Sequence, residues 1–85
     1  MSRASRRRDP TPELEALGEA LRAMRSERGL KQIEVAHDAG VSEAQLSEVE
    51  RGIVNPGWLL VTKIVTQGLG SDMTELAARY DPKTE

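Results

Sequence analysis

The two side chains most used for catalysis and metal binding, cysteine and histidine, are nearly absent from this chain. It has no cysteine and one histidine, His37. That excludes disulfides, a thiolate nucleophile and thiolate metal sites, and with one histidine no metal site is expected. No nucleophile, paired acid or glycine-rich phosphate loop stands near His37 in sequence. The histidine therefore reads as a solvated polar residue, and neither a catalytic constellation nor a cofactor is expected. Guanidinium and hydrogen-bonding groups are plentiful instead. Arg3, Arg6, Arg7 and Arg8 crowd the start; Arg22, Arg25, Arg28 and Lys31 follow. Between positions 32 and 51 come Gln32, Ser42, Glu43, Gln45, Ser47, Glu48, Glu50 and Arg51. Such groups recognise a polar or charged partner rather than transform it.

The net charge of −2 hides a split. Residues 1–12 set four arginines against Asp9, a balance of +3, whereas residues 13–85 carry 8 basic and 13 acidic side chains, a balance of −5. With Pro10 and Pro12 and no apolar periodicity, residues 1–12 read as a basic arm that is disordered in the free protein, followed by a domain over 13–81 and a short tail over 82–85. No apolar run reaches the roughly 18 residues of a membrane span, and no apolar segment follows the basic start as in a signal peptide, so the expected location is the cytoplasm. Eighty-five residues make one domain. A domain of this size buries only roughly 60–68 % of its unfolded surface, so a dimer partner would help it. With no Phe, one Trp and one Tyr, the core must be aliphatic.

The elements that must position these groups are short helices. Val35, Ala36 and Ala39 in one run, and Leu46 and Val49 in the next, follow the 3 and 4 spacing of a helix with one buried face. Each run is too short to be stable alone, so the two must pack across the break Gly40-Val41-Ser42. There, Gly40 supplies the left-handed φ, Val41 plugs the angle, and Ser42 caps the second helix. Upstream, Thr11 or Pro12 opens a helix with Leu14, Leu17, Leu21 and Met24 on its core face, ended by Gly29. Downstream, Pro56 sets up a fourth helix running to about residue 67, with Trp58 as a core anchor beside Val61, Ile64 and Val65. After a break at 68–70, Asp72 caps a fifth helix over 73–80 with Met73, Leu76 and Ala77 inward. The predicted fold is all-α, with five helices.

Gln32, Val35, Ala36, Gly40-Val41-Ser42, Leu46, Val49, Glu50-Arg51-Gly52 and Asn55-Pro56 resemble the helix-turn-helix signature of the Cro and lambda-repressor type (Xre-like) family. The likeness extends back through Leu17-Gly18, Arg25 and Gly29-Leu30 and forward to Leu76, about two thirds of the chain. It implies a lambda-repressor-like DNA-binding domain whose helix 43–51 enters the major groove. The protein would then be a transcriptional regulator binding a palindromic operator as a homodimer. It also implies a structural ion pair between Arg25 and Glu50, and a two-fold interface that Leu76 and Tyr80 can serve. No small-molecule site is expected.

On that reading the base-facing residues are Gln32, Glu43, Ala44, Gln45, Ser47 and Glu48, with Gln32 also placed to clamp a phosphate. The phosphate contacts are Arg6, Arg7, Arg8, Arg22, Arg28, Lys31, Ser42 and Arg51. Here the sequence departs from its family. Glu43 and Glu48 present carboxylates to a polyanion, a costly choice unless each accepts a hydrogen bond from a cytosine amine, while Ala44 suits a thymine methyl. Ile53 and Val54 are apolar where relatives are commonly polar or basic, and Ile33 beside Gln32 is apolar as well. This leaves a second expectation, a protein-binding module using Ile33, Ile53, Val54, Leu59 and Leu60 as an apolar patch.

Overall fold

Thr11 caps the first helix: its hydroxyl accepts the backbone N–H of Leu14 at 3.1 Å, and Pro12, which has no N–H to satisfy, occupies the first helical position. The computed structural model describes residues 11–82. The arginines Arg6, Arg7 and Arg8, and tail residues 83–85, lie outside them. Five α-helices follow: α1 (Pro12–Glu27), α2 (Gln32–Ala39), α3 (Glu43–Arg51), α4 (Trp58–Lys63) and α5 (Met73–Arg79). A π-helical turn, Ile64–Gly68, prolongs α4.

Leu21, Met24, Val35, Leu46, Val49, Ile64 and Val65 form the fully buried centre, joined by Ala20, Ala36, Ala39, Val61, Leu69 and Leu76. Every helix contributes, so none of these short segments has to be stable alone. Leu14 and Leu17 are half-buried, because the first turns of α1 extend past the core.

Glycines set two of the closest approaches. A Cβ on Gly18 would lie 2.3 Å from the Glu50 carbonyl oxygen, so α1 can cross the end of α3 only where a side chain is missing. A Cβ on Gly68 would lie 2.7 Å from Val35 Cγ1. Gly68 therefore belongs to the packed π-helical turn, not to a break as its residue type suggests. The i to i+5 bond from Leu69 N–H to the Ile64 carbonyl, 2.8 Å, closes that turn. Gly70, with φ +65°, then redirects the chain.

Trp58 is not a core anchor. As the first residue of α4 it lies one turn before Val61, beyond the reach of the core, and is 68 % exposed. It lines an open apolar groove of about 560 Å³ with Leu14, Leu17, Pro56, Met73, Ala77 and Tyr80. Ala77, expected inward, is exposed on that groove, and α5 stops at Arg79, one residue short of Tyr80.

Candidate nucleic-acid interface

The helix pair of the site is built by its caps. Gly40 ends α2 with φ 74°, a conformation that any side chain would strain. Ser42 then opens α3 with reciprocal bonds: its hydroxyl accepts Gln45 N–H at 3.0 Å, and the Gln45 side-chain carbonyl accepts Ser42 N–H at 3.0 Å. Leu46 and Val49 are buried beneath α3. Glu43, Ala44 and Gln45 are exposed, and Ser47 and Glu48 half-buried. Gln45 thus has its carbonyl oxygen engaged in the cap, and so does the Ser42 hydroxyl. Arg51 is exposed at the far end of α3, its Nε donating weakly to the Ser47 carbonyl at 3.4 Å.

A buried polar cluster fixes the other end of α3. The Glu50 side chain, 3 % exposed, accepts Arg25 Nε at 2.7 Å and Nη2 at 2.9 Å, a bidentate pair. Arg25 Nη1 also donates to the Leu30 carbonyl at 3.0 Å. The hydrogen bonds to Glu50 raise the Arg25 pKa above its ordinary value, partly opposed by burial. A third donor is one that sequence reasoning missed: Gln32 Nε2 gives a 2.8 Å bond to Glu50 Oε1. Gln32, expected to face base or phosphate, is instead drawn inward by the buried carboxylate, which has more acceptor capacity than Arg25 alone fills.

Arg28 requires a second correction. Rather than facing phosphate, it bridges α1 to α5: Nε donates to the Leu69 carbonyl at 3.1 Å, Nη1 to the Met24 carbonyl at 3.1 Å, and Nη2 to Glu75 Oε1 at 2.8 Å. Its donors are occupied by groups that the α1 C-terminus and α5 bring together. The Arg28 bond, and next the Ser71 hydroxyl, hold Glu75 down at a pKa of about 2. Arg79 extends the network to Glu27. Arg22 and Lys31 remain exposed cations on the described surface.

The apolar patch is not assembled as expected. Val54 and Leu60 pack against the core and Ile53 is half-buried, leaving Ile33 at 58 % and Leu59 at 75 % exposure. Among the described residues there is no cluster of three potential metal ligands, and no helix is long and apolar enough to cross a membrane. His37 is exposed, 3.4 Å from Asp38.

One signal of this geometry was available in the residue types. Gly18 sits inside α1, where glycine costs about 1 kcal/mol relative to alanine. A glycine in that place calls for a packing reason, and the α3 backbone supplies it.

A family model described as a helix-turn-helix domain matches residues 16–78. Comparison with curated protein sequences gives no match. Among solved structures, the clp gene regulator ClgR from Corynebacterium glutamicum is similar at 32 % identity and a TM-score of 0.74, over 86 % of this chain and 76 % of that one. The restriction-modification controller protein C.AhdI from Aeromonas hydrophila is similar at 30 % identity and a TM-score of 0.69, over 74 % of this chain and 94 % of that one. An HTH_3 family transcriptional regulator from Vibrio cholerae is similar at 31 % identity and a TM-score of 0.74, over 82 % of this chain but 38 % of that longer one. With helices α2 and α3 arranged as described and this match across its core, the chain belongs to the helix-turn-helix domain family, among the Xre-type DNA-binding transcriptional regulators.

Proposed function

We propose that this protein acts in the cytoplasm as a homodimer on a roughly palindromic operator, placing α3 of each subunit in the major groove at half-sites about 34–36 Å apart. The observation that carries this reading is the outward face of α3. Glu43, Ala44 and Gln45 stand exposed on a short helix whose far end is locked to α1 and α2 through Glu50. A rigidly held polar face is what base readout needs. Grip on phosphate is assigned to Arg22, Lys31, Arg51 and the arm over residues 1–12, which outweigh the repulsion of Glu43 and Glu48. The domain of 13–81 does the reading, and residues 82–85 are a tail with no assigned part.

The apolar groove between α1, α4 and α5 is the proposed dimer surface. Its exposed Trp58 and Tyr80 are large apolar groups that a second subunit would cover, and Leu59, exposed at the next position of α4, would extend that cover. ClgR is named a clp gene regulator, and this supports control of transcription by promoter occupancy, without catalysis.

Salt titration tests the proposal. Binding to duplex DNA is expected to weaken steeply with salt. Deletion of residues 1–8 should make the slope shallower by about 5 for the homodimer, since Arg6, Arg7 and Arg8 of each subunit would each neutralise one phosphate. Negligible binding at low salt would instead favour a protein partner on Ile33 and Leu59.

A further inference from the structure

Three N–H donors converge on the Glu50 carboxylate, and they come from two different helices. Arg25 reaches it from the last turn of α1 and satisfies one bond on each oxygen; Gln32, the first residue of α2, adds the third. Through Leu30, whose carbonyl accepts Arg25 Nη1, the α1–α2 connection joins the same cluster. Beside the aliphatic packing of Leu46 and Val49, the C-terminal end of α3 is held at this carboxylate and at the close crossing with Gly18.

Close-packed apolar side chains resist gross rotation of a helix about its axis, but each such contact has no preferred direction and opposes small rotations weakly. Hydrogen bonds to a carboxylate do have one. Arg25 ties α3 to α1 and, through Leu30, to the α1–α2 connection. Gln32 adds a polar tie between α3 and the helix that precedes it in the motif. A helix with its side chains is about 10–12 Å across, so a rotation of about 10° moves groups on its outer face by about 1 Å. Base recognition tolerates roughly 0.5 Å.

We infer that Gln32 is a positioning residue: by donating to Glu50 it sets the rotation of α3 relative to α2, and so the specificity of the exposed face, without itself touching nucleic acid. This deepens the proposed function and rests on it for the DNA readout, though not for the helix setting itself. Since Arg25 still engages both Glu50 oxygens when Gln32 is replaced, Gln32→Leu and Gln32→Ala are expected to remain folded.

The experiment measures the full-length wild type and both variants for affinity to an operator selected from a random duplex library and to a scrambled duplex at the same salt. In parallel, the amide chemical shifts of the free proteins are recorded. Operator affinity should fall about tenfold, the weight of one good base contact, while scrambled binding stays within about twofold because the phosphate grip is untouched. Amide shifts should move along residues 43–48 and hold still in α5. Equal loss on both duplexes would mean that Gln32 grips phosphate directly, and overturns the inference. So do unchanged α3 amide shifts, unchanged affinities, or failure of both variants to fold. If the wild type prefers no duplex while the α3 shifts still move, the operator reading fails and the helix setting by Gln32 stands.

Discussion

Replacing Arg25 by alanine is the sharpest test of how the recognition helix is held. The change removes both bonds of the bidentate pair, at 2.7 and 2.9 Å, together with the tie to Leu30. It leaves a carboxylate only 3 % exposed with Gln32 as its remaining partner. Breaking a buried pair by removing one partner typically costs about 3–5 kcal/mol, far more than the pair contributes on balance, because the surviving charge is stranded. Arg25 is itself 17 % exposed, so water can enter and the low end, about 3 kcal/mol, applies. For a domain of this size each kcal/mol lowers Tm by about 4–8 °C, giving a drop of roughly 12–24 °C. Thermal unfolding followed by circular dichroism at neutral pH reads it directly. Adding Glu50→Gln to Arg25→Ala removes the stranded charge and should recover part of the loss. A drop below about 4 °C for Arg25→Ala would refute the reasoning, since it corresponds to under about 1 kcal/mol.

Three further outcomes follow from particular contacts. Glu75 has a folded pKa of about 2, depressed from 4.5 by Arg28 and then by Ser71. Its contribution is therefore present above pH 4.5 and lost as pH falls toward 2, so Glu75→Gln should flatten the acid limb of the stability profile in that window and leave the profile's shape near neutrality unchanged. Gly18→Ala, which would favour an isolated helix, should instead destabilise the protein by about 1–3 kcal/mol in urea unfolding, because the added Cβ meets the Glu50 backbone carbonyl; a more stable variant would contradict the close crossing. Leu59→Glu should shift sedimentation toward the monomer if the α4 surface joins subunits, and an unchanged sedimentation coefficient would exclude Leu59 from the interface.

The helices are legible in the sequence because periodicity and punctuation agree. Thr11, Gly40, Ser42 and Asp72 act as the caps their residue types suggest, and the apolar spacing of Val35, Ala36, Leu46 and Val49 marks the buried faces. What spacing does not convey is competition between partners. Gln32 and Arg28 read as outward groups because their types suit phosphate, but a buried carboxylate on α3 and an acidic residue on α5 reach them first. Neither rival is near in sequence: Glu50 lies 18 positions from Gln32, and Glu75 lies 47 from Arg28. Trp58 misleads for a related reason. Its spacing to Val61 and Val65 is helical, yet it stands where α4 has only begun, and residue type alone does not reveal how far the core extends.

The claim that α3 reads bases is tested most directly by selecting duplexes from a random library with the wild type and with Glu43→Gln, whose altered side chain is exposed in the first turn of α3. An amide can donate where a carboxylate only accepts, so one position of the selected sequence should change its preferred base while the rest of the site is kept. The same consensus from both proteins, or no consensus from either, would contradict insertion of α3 into the groove.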